Sequence, residues 1–136
     1  MKSFHTIIIG SGQGGVPLAV DLAKTGHDVA IFERESWGGS CINYGCTPSK
    51  TFLASAHAAH KVETAQRLGI EAQAEVKFPE IMNRVRGMIS SWSKGVKDRL
   101  SHPNIQLIEG EASFTDQKTL TSEGKTYQAD QIVINT

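Results

Sequence analysis

Cys41 and Cys46 are the only cysteines among 136 residues, and both fall in one stretch, "GGSCINYGCTPSK", residues 38–50. Two thiols five positions apart have three chemistries open to them: a reversible disulfide, part of a metal site, or a pair of inert, buried apolar groups. An unbroken helix forbids the first, because α-carbons five residues apart on an ideal helix are separated by about 8.6 Å. A disulfide needs less than about 7 Å. Gly45 tolerates unusual dihedrals and Pro48 suits a first helical turn, so the segment is expected to be irregular up to Cys46 and helical beyond it. Closing so small a loop contributes only about 2 kcal/mol, and strain eases its reduction, which suits turnover better than scaffolding. A metal would want about four ligands, and only His57 and His60 follow nearby. Lys50 is placed to lower the pKa of a neighbouring thiolate or to touch a bound ring, although a lysine is most often simply solvated.

A second constellation lies upstream. "GSGQGG" sets Gly10, Gly12 and Gly15 in GxGxxG spacing, directly after the apolar run "FHTIII" (residues 4–9). A first glycine allows a sharp turn, a second lets a pyrophosphate approach the backbone, and a third lets a helix pack closely on the strand. The helix start adds unpaired N–H groups and a partial positive charge. Glu33 follows about twenty residues on, at the end of "DVAIFE", where a carboxylate can accept hydrogen bonds from an adenosine ribose. The same carboxylate argues against a 2′-phosphate, and hence against NADP at this site. FAD and NAD stay equally open on these residues alone.

Elements must position these groups. Strands are expected over residues 4–9 and 28–33 with a helix between them, a βαβ unit. A helix is expected over 48–67 and another over 79–101, where Ile81, Val85, Ile89, Trp92, Val96 and Leu100 recur at three- and four-residue intervals. Residues 105–108 read as a strand, "EASFTDQKTLTSEGKTYQA" as an antiparallel meander, and "QIVINT" as a closing parallel strand. The fold class is therefore α/β, a Rossmann-like parallel sheet with crossover helices and a small antiparallel meander. The strands near residues 4, 28, 105 and 131 alone would leave a sheet edge and an apolar face uncovered, giving marginal stability or coverage by another copy.

Composition bounds the partners. A chain of 136 residues has the length of one domain. Fourteen basic and fourteen acidic side chains cancel, with no block of like charge, which disfavours nucleic acid and anionic membrane surfaces as partners. The three-isoleucine run near the start is too short for a signal-peptide core or a membrane span, so a cytoplasmic location is expected. In that reducing compartment two close cysteines suit redox or metal chemistry better than a structural staple.

"GGSCINYGCTPSK" closely resembles the active-site signature GGxCxNxGCxPxK of the class I pyridine nucleotide-disulfide oxidoreductases, the family of lipoamide dehydrogenase, glutathione reductase and mercuric reductase. The resemblance runs through "IIIGSGQGG", "IFERE", "IEGEASF" and "IVINT", and "GCTPSK" is more similar to the lipoamide dehydrogenase and mercuric reductase branches. It implies that residues 1–136 are an incomplete FAD-binding domain, without the family's NAD(P)-binding and dimerisation regions. Gly10, Gly12 and Gly15 would then serve the FAD pyrophosphate and Glu33 its ribose, with Gly39 and Ser40 against the cofactor. Cys41 would exchange with substrate, Cys46 would lie nearer the flavin as a charge-transfer thiolate, and Lys50 would sit by the flavin's reactive nitrogen. Thr136 would touch FAD, while Asn135 departs from the alanine usual in the family. The implied activity passes electrons from NAD(P)H through FAD to a Cys41–Cys46 disulfide and on to a small-molecule disulfide, metal-ion or other oxidant, in a homodimer when full length. The alternative is a non-catalytic nucleotide-binding fragment of such an enzyme, and no resident metal is expected.

Overall fold

The computed structural model describes all residues from Met1 to Thr136. Strand β1 (Lys2–Ile9) leads through the glycine turn into helix α1 (Gly15–Lys24), and β2 (Val29–Glu33) follows. Thr25 ends α1 by donating its backbone N–H and its hydroxyl to Leu22 O, and Gly26, at φ 89°, turns the chain back. Next come the short helix α2 (Gly39–Asn43), the long α3 (Cys46–Thr64) closed by a 3-10 turn at Ala65–Leu68, and α4 (Phe78–Arg99). Strands β3 (Ile105–Glu109), β4 (Ser113–Asp116), β5 (Thr119–Ser122) and β6 (Lys125–Ile134) complete the chain.

All six strands form one sheet in the order β3-β2-β1-β6-β5-β4. β3, β2, β1 and β6 run parallel, and β5 and β4 add on antiparallel to β6. One element differs from expectation. The last leg of the meander and the closing strand are a single ten-residue strand, β6, which pairs with β5 through Lys125–Gln128 and with β1 from Tyr127 to Ile134. Only Asp130 separates "KTYQA" from "QIVINT", and a single residue is too short for a turn, so the strand runs straight through it.

Side chains alternate across a strand, so neighbours in β1 feed different cores. Ile8 faces α1 and α4, where it packs with Val16, Ala19, Ile31, Val96 and Leu100. Ile7 faces the other way, onto Phe32, Leu120 and Tyr127. Burial on both faces is why the run reads as continuously apolar. The second face is not left open. The sheet curls until β5 lies over it: Leu120 is fully buried, Tyr127 meets Phe32 edge to face at 5.1 Å, and Ser122 reaches Gly110 just beyond β3. Full burial of a leucine side chain contributes about 1.5–3 kcal/mol, so the meander acts as the lid of this core. The expected open edge is present in part, since residues beyond Ala129 in β6 have β1 on one side and no partner strand on the other.

Candidate nucleotide and dithiol site

The glycine turn sits where β1 meets α1. Gly10 adopts φ 101°, a region L side chains avoid, and a Cβ there would collide with the backbone carbonyl of Asn135. Its N–H donates to Phe32 O at 2.8 Å, which holds the turn to β2. A Cβ on Gly15 would stand 2.5 Å from Gly10 O and 3.1 Å from Ile8 Cγ2, so α1 starts directly against the strand. Gly39, at φ 64°, leaves no more than 3.0 Å between its own absent Cβ and Gly12 Cα. Two glycine-bearing segments therefore touch backbone to backbone beside the start of α1, where Val16 N–H is bonded to Gly12 O and Pro17 has none, so the glycine N–H groups ahead of them are the donors on offer.

Glu33 ends β2 beside this turn. Its Oε2 accepts the Ser11 backbone N–H at 3.1 Å and the Ser11 hydroxyl at 2.5 Å, and its Oε1 accepts the Glu35 N–H at 2.9 Å. Ser11 Oγ in turn accepts the Gly38 N–H at 2.9 Å. Ser11 is fully buried, so this chain is an internal strut tying the first glycine segment, the β2 end and the Gly38–Gly39 segment together. The carboxylate is only half-buried and lines a groove, where its remaining lone pairs can accept sugar hydroxyls.

The dithiol is set by a broken helix. α2 carries Cys41 and ends at Asn43; Gly45, at φ −117° and ψ −104°, interrupts the helical path, and α3 begins at Cys46. The break at Gly45 is as expected, but the residues before it are not irregular: Gly39–Asn43 form a short helix of their own, and α3 starts at Cys46 rather than Pro48. Asn43 Nδ2 faces the carbonyls of Ser36, Trp37 and Gly39 at 3.3, 3.2 and 2.9 Å, which fixes α2 against the preceding segment. That segment is pinned by Trp37, whose indole N–H donates to Glu109 at 3.1 Å and whose ring lies 5.7 Å from the Lys97 ammonium. Lys97 donates to the same carboxylate at 2.8 Å, and the Lys97 and Trp37 hydrogen bonds together hold Glu109 below its usual range. Both cysteines are free thiols, Cys41 half-buried and Cys46 exposed. The Cys46 thiol, chiefly as a hydrogen-bonding neighbour, raises Cys41 above the ordinary thiol range, and the Lys50 charge opposes it more weakly.

A groove of about 630 Å³ joins these parts. Gly10, Gly12, Glu33, Gly39, Ser40, Cys41 and Thr136 all line it. Gly15 is buried beneath the turn instead, while Cys46 and Lys50 are exposed beyond the groove wall. The far end is formed by Gly110, Glu111 and Ala112 after β3, with Tyr44 at the mouth beside Cys41. Sequence reasoning had missed Ser11, Trp37, Asn43 and Glu109. Asn43 alone carried a signal, as the invariant-type asparagine of the quoted signature; Trp37 and Glu109 are 72 positions apart and meet only in the fold. No group of three or more His, Cys, Asp or Glu side chains is arranged to hold a metal ion, and no helix is long and apolar enough to cross a membrane.

Comparison with known proteins agrees with this architecture. The dihydrolipoyl dehydrogenase of Thermus scotoductus is 32% identical over 136 residues, covering 100% of this chain and 30% of that protein. The dihydrolipoyl dehydrogenase of Bacillus subtilis is 34% identical over 134 residues, 93% of this chain and 29% of that protein. The solved structure of the HOCl-induced flavoprotein disulfide reductase RclA from Escherichia coli superposes with a TM-score of 0.82 at 31% identity, over 97% of this chain and 28% of that one. The chain thus spans under a third of the length of the relatives it matches. The family profile described as pyridine nucleotide-disulphide oxidoreductase matches residues 4–136, nearly every position, and the chain belongs to that family.

Proposed function

We propose that residues 1–136 are the nucleotide-holding part of an FAD-binding domain, in an oxidoreductase that passes electron pairs from NAD(P)H to a small disulfide, metal-ion or other oxidant through Cys41 and Cys46. The whole protein would work as a cytoplasmic homodimer. The observation that carries this reading is the single groove running from the glycine turn past Glu33 to Cys41. The flavoprotein disulfide reductase and the dihydrolipoyl dehydrogenases among the relatives support it.

The residues fit FAD. Gly12 and Gly39 both line the groove, and a Cβ on Gly39 would press on Gly12 Cα at 3.0 Å, so bare backbone at these positions lets a pyrophosphate approach the start of α1 and its N–H donors. Glu33 accepts from the ribose hydroxyls, held in place by Ser11. Bound FAD supplies the two-electron exchange with a nicotinamide that no amino acid side chain provides. Cys41 and Cys46 interconvert between dithiol and disulfide: forming the S–S bond releases two electrons and two protons, and cleaving it takes them up. Cys46 is the main cause of the rise in Cys41, so Cys41 keeps its proton at neutral pH until oxidation removes it. Lys50, one helical turn past Cys46, opposes the rise in Cys41 only weakly.

The test is a Cys46→Ser variant of the whole protein. FAD is expected to stay bound while NAD(P)H-dependent disulfide reduction stops; retained reduction overturns the reading. Residues 1–136 alone are expected to bind nucleotide without catalysis, and steady NAD(P)H turnover by them would overturn that part.

A further inference from the structure

Asn135 stands where the family usually has alanine, and its side chain enters the glycine turn. Its backbone N–H donates to Ile9 O at 2.8 Å, and its Nδ2 donates to Gly10 O at 3.2 Å, so one residue grips two successive carbonyls at the end of β1. A carbonyl can only accept, which fixes the amide with nitrogen toward Gly10 and oxygen away from it. The amide then lies against three glycines. A Cβ would meet Asn135 Nδ2 at 3.2 Å from Gly12 and 2.8 Å from Gly15, and Asn135 Oδ1 at 2.8 Å from Gly14. Asn135 also lines the groove.

Resting on the reading of that groove as a dinucleotide site, we propose that Asn135 is a positioning residue for the pyrophosphate: its side-chain amide locks the glycine turn and quenches the Gly10 carbonyl beside the anion site. Two physical effects follow. Gly10 O lies under the first turn of α1 against buried Gly15, and an unpaired carbonyl there is a buried acceptor without a donor, which loosens the turn that frames the anion site. The Nδ2–H takes up that lone pair, and the turn keeps the conformation that leaves its N–H groups free. The absence of side chains at Gly12, Gly14 and Gly15 is also partly a requirement of the asparagine, apart from that of the ligand.

The experiment compares Asn135→Ala and Asn135→Asp in the purified whole protein, stripped of flavin and titrated with FAD by fluorescence quenching, with thermal unfolding of the flavin-free form recorded alongside. Loss of one hydrogen bond predicts that Asn135→Ala weakens FAD binding about five- to tenfold. Asn135→Asp keeps the shape but places a carboxylate by the phosphates, so its loss is larger and shrinks as salt is raised. In flavin-free unfolding, Gly14→Ala is expected to lower the midpoint with Asn135 present and to be neutral or raise it in Asn135→Ala. Binding by both variants within twofold of the parent, with no salt-dependent loss in Asn135→Asp, overturns the positioning role. Additive effects of the Gly14 and Asn135 substitutions overturn the packing argument. Failure of the parent protein to bind FAD overturns the underlying reading instead, and the Gly14 result still decides whether Asn135 packs the turn.

Discussion

Helices α1 and α3 both begin at the groove, yet they are held in opposite ways. α1 has ten residues, of which Gly15, Val16, Ala19 and Ala23 are buried, so the core grips it along its length. α3 has nineteen, and only Thr47 and Thr51, in its first two turns, are buried. Beyond them it leans on α4 through Arg84, which donates to Thr51 O and Ser55 Oγ, and through an edge-to-face contact of Phe52 with Phe78 at 6.1 Å. The groove-lining glycines therefore sit on a rigid base, whereas the dithiol sits at the fixed root of an exposed arm. Precision at Cys46 comes from the Gly45 break and the Asn43 and Trp37 anchors rather than from burial of the helix that carries it.

The contrast can be broken or sharpened by substitution. Ile8→Ala, in the core under α1, is expected to cost about 2–5 kcal/mol in urea unfolding. A loss under about 1 kcal/mol would show that α1 is not the better-held helix. Gly15→Ala forces a methyl against Gly10 O and should cost about 1–3 kcal/mol and weaken FAD binding in parallel. On the arm, Phe52→Ala, which removes an exposed aromatic pair, should cost no more than about 1.5 kcal/mol and leave the unfolding slope unchanged. Should it match Ile8→Ala, the two helices are equally integrated.

Two titrations separate the anchors. Glu109 is depressed by Lys97 and Trp37, so its share of stability is present above the ordinary carboxylate pKa and is lost as acid carries the pH down through its folded pKa. Glu109→Gln should lower stability at neutral pH by that small share and flatten the acid limb, so that parent and variant converge in acid; an unaltered limb would discard the anchor. Cys41 is raised by Cys46, so its alkylation by iodoacetamide should require a higher pH than a free thiol does. In Cys46→Ser that requirement should fall, with stability within about 0.5 kcal/mol because Cys46 is exposed. An alkylation profile that does not move removes the thiol–thiol contact.

Local signals in the sequence were enough for the βαβ unit, both long helices and the break at Gly45, because each rests on periodicity or on one residue's dihedral freedom. Pairings between distant residues were not visible in the same way. Trp37 with Glu109 and Leu120 with Ile7 are chance-like at sequence level, since neither member has a pattern that points to its mate. The expected uncovered apolar face counted only the four parallel strands; the meander supplies the cover, because curling brings β5 over Ile7 and Phe32. Groove membership was legible for Gly10, Gly12, Glu33, Gly39, Ser40, Cys41 and Thr136. Asn135 is legible in the sequence only as a departure from the alanine of the resembled pattern, because its side-chain contacts are with glycines 120 or more positions earlier.

β6 carries one more consequence. Past Ala129 its outward flank offers a row of main-chain donors and acceptors to no neighbour, and Ile134 on that stretch is 65% exposed. Main-chain recognition is blind to side-chain identity, so this flank welcomes any extended peptide of suitable length. A strand laid along it would pair through main-chain bonds alone, and proline at Gln131 would interrupt that pairing only if the N–H of that residue points outward.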